Sequence, residues 1–200
     1  MFPILRPTNA VAAGPIPCPW LPPYPNPLSP TTVSAKTVSD MDKYPVYLIK
    51  THLAIQDPDL RSPRYHTTIF VETDPITGSG HIHEVDGDLT SPEGMHYQRK
   101  LAPRPESIDT FFSRTLLGHT TTAGYPETWD MILKAVPAPP QQKAFNIKRM
   151  RTEPFKRLSP LEFYEDDEER RPLMKCTEWV VDKAIPVLKE AGCLQVSLCL

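Results

Sequence analysis

Ten prolines fall within the first 30 residues of this 200-residue chain. Each removes a backbone donor and fixes φ, so that stretch can enter neither a regular helix nor an inner strand. Up to about residue 42, proline alternates with small and polar side chains, which bury too little to offset the entropy of ordering them. The sequence therefore predicts a disordered Pro-rich arm over 1–42 and a single α+β domain over 43–200. Within the arm, LPPYPNP suits a polyproline II ligand for an SH3- or WW-type groove.

Composition excludes several classes of function. Lys plus Arg number 22 and Asp plus Glu 24, a formal charge of −2, which offers no field of one sign to hold nucleic acid. No apolar run approaches the roughly 18 residues of a membrane span. Arg6 and Pro7 interrupt the apolar stretch that a secretory leader needs. Cys18, Cys176, Cys193 and Cys199 show no metal-ligand spacing, which fits a reducing, cytoplasmic location. Nothing in the pattern calls for a cofactor.

From Tyr44 the pattern becomes that of strands. YLIKTHLAI, YHTTIFV at 65–71, HIHEV at 81–85 and MHYQRK at 95–100 are separated by Gly, Pro and Asp turns, TDPITGSG among them. Short connections favour an antiparallel meander over a crossover sheet. Residues 108–117 read as a short strand or a turn of helix. In 125–136, Trp129, Ile132, Leu133 and Val136 recur at helical spacing before the stop PAPP. A basic stretch, KAFNIKRMRTEPFKR, and an acidic one, EFYEDDEERR, suggest mutual neutralisation or a solvated surface. A last helix, CTEWVVDKAIPVLKEA at 176–191, should be interrupted by Pro186, with its axis bent near Asp182 unless the first turn is displaced, and stop at Gly192. CLQVSLCL follows as a short edge strand or packed tail.

Four residues could carry chemistry. His66 shares a strand face with Thr68 and Phe70, and His81 shares one with His83 and Val85. Pairing of the two strands would bring a histidine of the second near His66. Cys176 opens a helix, where free amides and the positive end of the dipole favour thiolate. A neighbouring imidazole could take its proton. The bland reading makes Cys176 and the two helical tryptophans core residues and leaves His81 and His83 facing water. The H-x-H pair could also ligate a metal, but no third and fourth ligand stand at a recognisable spacing.

The pieces HTTIFV, HIHEV and KCTEWVV, in this order, resemble the circularly permuted papain-like fold of NlpC-type thiol peptidases and lecithin:retinol acyltransferase-like proteins. The resemblance implies His66 as base, His81 or His83 as its orienting partner, and Cys176 as nucleophile. It implies a meander with the C-terminal helix packed on it, and a small-molecule or peptide acyl substrate cleaved as an amide or ester. Lys175 stands where that family often has asparagine. The chain is also similar to uncharacterised proteins of filamentous fungi, some encoded beside secondary-metabolite genes. That likeness implies the alternative of a non-catalytic accessory or interaction protein tethered by its arm.

Overall fold

The computed structural model describes residues 42–60 and 62–196. The arm expected over 1–42, its groove-binding motif, Cys18 and Cys199 lie outside them, Asp42 excepted.

Five strands form the main sheet: β1 (Lys43–His52), β2 (Tyr65–Glu72), β3 (Gly80–Gly87), β4 (Met95–Ala102) and β5 (Phe111–Thr121), in the order β4-β3-β2-β1-β5. The first four make the expected antiparallel meander, and β5 returns to the free edge of β1. The stretch read as a short strand or helical turn is thus an eleven-residue strand. Its register on β1 shifts between Val46 and Tyr47 and again between Lys50 and Thr51, which breaks the two-residue alternation that would have revealed it. Near the first shift, Gly118 (φ 151°) places its backbone against the Gln195 carbonyl, in space that a Cβ would occupy. His119 and Gln195 exchange both backbone hydrogen bonds there (2.9 and 2.8 Å), so the C-terminal stretch packs on the sheet edge.

One face of the sheet carries Val46, Ile69, Val71 and Val85. Against it lie α1 (Glu127–Ala135) and α2, a continuous helix built of Cys176–Glu178, a π-helical stretch Trp179–Ala184, and Ile185–Glu190. Trp129, Trp179, Leu133, Val180 and Leu188 are buried between helices and sheet, as the helical spacing predicts. Each such side chain contributes about 1.5–3 kcal/mol by leaving water. A smaller cluster of Ile49, Phe70 and Ala102 covers the opposite face.

Pro186 bends the expectation rather than the rule. The Ile185 N–H bonds the Val180 carbonyl five residues back, and this wider π turn just ahead of the ring accommodates a residue with no donor. The helix therefore continues through Pro186 to Glu190.

The charged stretches form a small sheet of β6 (Lys143–Asn146), β7 (Arg151–Arg157) and β8 (Glu162–Phe163). Basic and acidic segments neutralise each other: Lys156 pairs with Glu168, Arg157 with Glu162, and Arg149 with Glu165 and Asp166. Lys143 is buried, its ammonium 2.7 Å from both Asp57 and Asp59, and so pins the β1–β2 loop to this sheet. No helix among the described residues is long and apolar enough to cross a membrane.

Candidate active site

Strand register decides which side chains meet His66. β2 and β3 pair from Glu72↔Gly80 to Ile69↔His83, so even-numbered residues of one strand share a face with even-numbered residues of the other. His66 therefore shares its face with Glu84. His81 and His83 share the opposite face with Ile69 and Val71. His66 Nε2 lies 2.7 Å from Glu84 Oε2. The group that bonds His66 is thus neither of the expected His81 and His83 but a carboxylate one residue further along β3.

Glu84 is 2 % exposed yet fully engaged. Its other oxygen accepts from Gln98 Nε2 (2.9 Å) and pairs with the Lys100 ammonium. Burial pushes its pKa up, but the bonds to His66 and Lys100 outweigh that and hold it below the usual carboxylate value.

His83 instead belongs to the core. Its ring is fully buried, with Nδ1 2.7 Å from the Tyr97 hydroxyl and Nε2 3.0 Å from that of Tyr125. The Tyr97 hydroxyl donates to Asp130 (2.7 Å), which leaves its oxygen to accept. The proton of His83 accordingly sits on Nδ1, and Tyr125 donates to Nε2. Burial drives the His83 pKa down to about 3, so the ring is neutral. His81 packs edge-on against Tyr125, and burial lowers its pKa too. Neither ring is placed to serve His66.

Beyond Ile69, β3 stays paired with β4 but no longer with β2. The start of α2 occupies the edge so vacated. The Cys176 thiol lies 3.9 Å from the Tyr65 carbonyl and receives the Thr67 N–H, the two backbone groups flanking His66. The His66 side chain also acts on it: each group shifts the other's pKa toward the charged form. With Nε2 committed to Glu84, Nδ1 is the nitrogen left to exchange a proton with the thiol.

The protonation states follow from these contacts. Cys176, then Glu84, outweigh burial and hold His66 up at about 9. Burial pushes the thiol up, but His66, the Thr67 amide and the charge of Lys175 bring it below its ordinary value. These contacts favour a thiolate, an imidazolium and a carboxylate in a row.

Two ties bracket the pair. Arg64, two residues before His66, forks onto Glu178, two residues after Cys176, at 2.7 and 2.8 Å. Thr67 and Thr177, the residues immediately following, join hydroxyls at 2.9 Å. Glu178 also accepts the Lys175 N–H (2.9 Å) and so closes the first turn of α2. The approach to the helix is fixed by Gln142, whose amide bonds both backbone groups of Met174 (2.7 and 2.9 Å). Sequence reading missed Glu84, Arg64 and Glu178. Given the hairpin register, parity alone would have found Glu84; the Arg64–Glu178 pair, 114 residues apart, leaves no local signal.

Cys176 as a residue is only 2 % exposed, whereas the His66 side chain is 29 % exposed. Beside them a cavity of about 280 Å3 is lined by Lys50, Pro63, Arg64, Tyr65, Thr67 and Thr177. A larger one of about 500 Å3 lies on the small sheet, between Phe145 and Tyr164; neither cavity is lined by Cys176 or His66 themselves, but the smaller is lined by their chain neighbours Tyr65, Thr67 and Thr177.

Comparison with curated proteins and with solved structures found no match. A family of unknown function, DUF6540, matches over residues 46–195, a span that takes in β2, β3 and the start of α2, and the chain belongs to that family.

Proposed function

We propose that this protein is a thiol-dependent hydrolase or acyltransferase of the circularly permuted papain-like type. The observation that carries the reading is the run Cys176–His66–Glu84, assembled from a helix start and two strands, in which His66 bonds Glu84 and the thiol and the ring favour each other's charged form. Its polarity suits acyl transfer.

The Cys176 thiolate attacks the carbonyl carbon of an amide or ester, forming a C–S bond and an oxyanion. Collapse of that intermediate breaks the bond to the leaving group, which takes the proton of the His66 imidazolium. The product is a thioester on Cys176. Neutral His66 then removes a proton from water, or from an acceptor hydroxyl or amine, as it attacks the thioester. Collapse expels the thiolate, and the imidazolium is restored. Glu84 keeps the ring oriented and stabilises its charged form throughout.

The test is site-resolved alkylation by iodoacetamide, followed across pH by peptide mass spectrometry. Cys176 should react with an apparent pKa below that of Cys193, whose thiol burial pushes up, and His66→Gln should return it to an ordinary thiol profile. An ordinary profile in the unaltered protein would refute the reading. The slight exposure of Cys176 favours a second one, an accessory protein that keeps the scaffold without turnover. Hydrolysis of 4-nitrophenyl acetate that is lost in Cys176→Ser excludes it.

A further inference from the structure

Lys50 pairs directly with Thr67 across β1 and β2, so its side chain leaves the sheet on the face where Thr67 meets Thr177. Both threonines line the 280 Å3 cavity, as does Tyr65, whose carbonyl meets the thiol. At about 30 Å3 per small heavy-atom group, this space holds a short substituent and not an extended chain.

The charges around it do not balance. Arg64 is matched by Glu178, and Lys100 by Glu84. Cys176 and His66 offset each other as thiolate and imidazolium. Lys50 and Lys175 form no ion pair among the described residues. Lys175 nonetheless acts on the sulfur electrostatically. Lys50 therefore stands in the cavity wall without a carboxylate of its own, while the Lys175 charge is shared among the sulfur, Asp57 and Asp88.

Granting the acyl-transfer reading above, we propose that this cavity is the subsite for a carboxylate borne on the acyl group of the substrate, with Lys50 as the residue that recognises its charge. A short dicarboxylic acid, linked to its leaving group through one carboxyl and free at the other, fits both the volume and the sign. An acidic side chain next to a scissile peptide bond presents the same chemistry.

The full-length protein tests this with a matched pair of thiol reagents, iodoacetate and iodoacetamide, which differ in charge and little in size. In each, the thiolate displaces iodide and an S–C bond forms. The rate ratio at Cys176, iodoacetate over iodoacetamide, should fall roughly three- to tenfold in Lys50→Glu and less in Lys50→Gln. Lys50→Arg should preserve it. The neutral reagent reports any general disturbance of the fold, and the glutamine variant serves should the charge reversal prevent folding. An unchanged ratio in Lys50→Gln and Lys50→Glu, with a depressed Cys176 pKa intact, overturns the subsite and spares the acyl-transfer reading. A Cys176 pKa that is not depressed overturns the acyl-transfer reading, and the subsite with it. Turnover then separates the two sources. Cleavage of the 4-nitrophenyl monoester of glutaric acid faster than 4-nitrophenyl acetate identifies a small diacid, and cleavage of acetyl-glutamyl 4-nitroanilide faster than its alanyl analogue an acidic peptide. Slower reaction of both acids than of their neutral counterparts also overturns the subsite.

Discussion

Replacing Glu84 by glutamine keeps the shape of the side chain and removes the charge that His66 leans on. In the native protein His66 is held at about 9 against an ordinary 6.5, a difference of about 2.5 pH units or roughly 3 kcal/mol in favour of the imidazolium. Cys176 supplies the larger share, Glu84 the next, and burial opposes both. A hydrogen bond to a charged group is worth about 1.5–3 kcal/mol, so losing the carboxylate should lower the His66 pKa by about 1–2 units. The sign is fixed by linkage. A folded pKa raised above the unfolded one gives stability that is fully present below 6.5 and is lost as pH rises through about 9. Glu84→Gln moves the upper limit of that window down toward 7–8, and the Cys176 pKa rises because its counter-charge is less populated at neutral pH. Titration of the His66 ring by 1H–13C NMR reads the first effect, and the pH profile of carboxamidomethylation reads the second. A His66 pKa that stays within about 0.3 units of the native value would mean that Glu84 only shapes the site, and the reasoning from charge would fail.

Other outcomes are expected from the same structure. His83 is depressed to about 3, so its contribution is present above 6.5 and lost as pH falls; between pH 7 and 5 its share of the loss is about 2 kcal/mol, offset by about 1 kcal/mol that the raised His66 returns over the same span. Urea titrations of His83→Gln beside the native protein isolate the His83 share as the difference between the two slopes. Glu178→Gln breaks the fork to Arg64 and should cost about 1–2 kcal/mol in urea midpoint while raising the apparent pKa of Cys176 alkylation, whereas a purely structural fork would leave that pKa unmoved. Leu188→Ala empties a fully buried position between helix and sheet and should cost about 2–5 kcal/mol by thermal or chemical denaturation, with the Cys176 pKa unchanged.

The parts of the fold that could be read from sequence are those where one physical requirement dominates. YHTTIFV and HIHEV are rich in β-branched and aromatic side chains between strong turns, and they form β2 and β3. Trp129 and Trp179 at helical spacing announce the two helices that cover the sheet. β5 was obscured because its register shifts twice against β1. β6 and β7 were obscured because KAFN and RTEPFKR look solvated, although Lys143 and Glu153 are buried, with their charges met by Asp57 and Asp59 and by Asn146 and Arg151. At the candidate site, a helix start and a strand single out Cys176 and His66 in the sequence. Glu84 is not so marked, because a single-residue change of register exchanges the two faces of β3 and nothing in the turn states the register openly.

The vacated edge of β2 has a consequence for how such a site can be lost. The Tyr65 carbonyl and the Thr67 amide meet the thiol where β2 has no β3 partner, so on the proposed reading reactivity depends on the hairpin unzipping where it does. Substitutions around Thr68 and Val85 that let the ladder run two residues further would close the notch and evict the sulfur. A member of this family could retain every reactive side chain and still fall silent through its backbone.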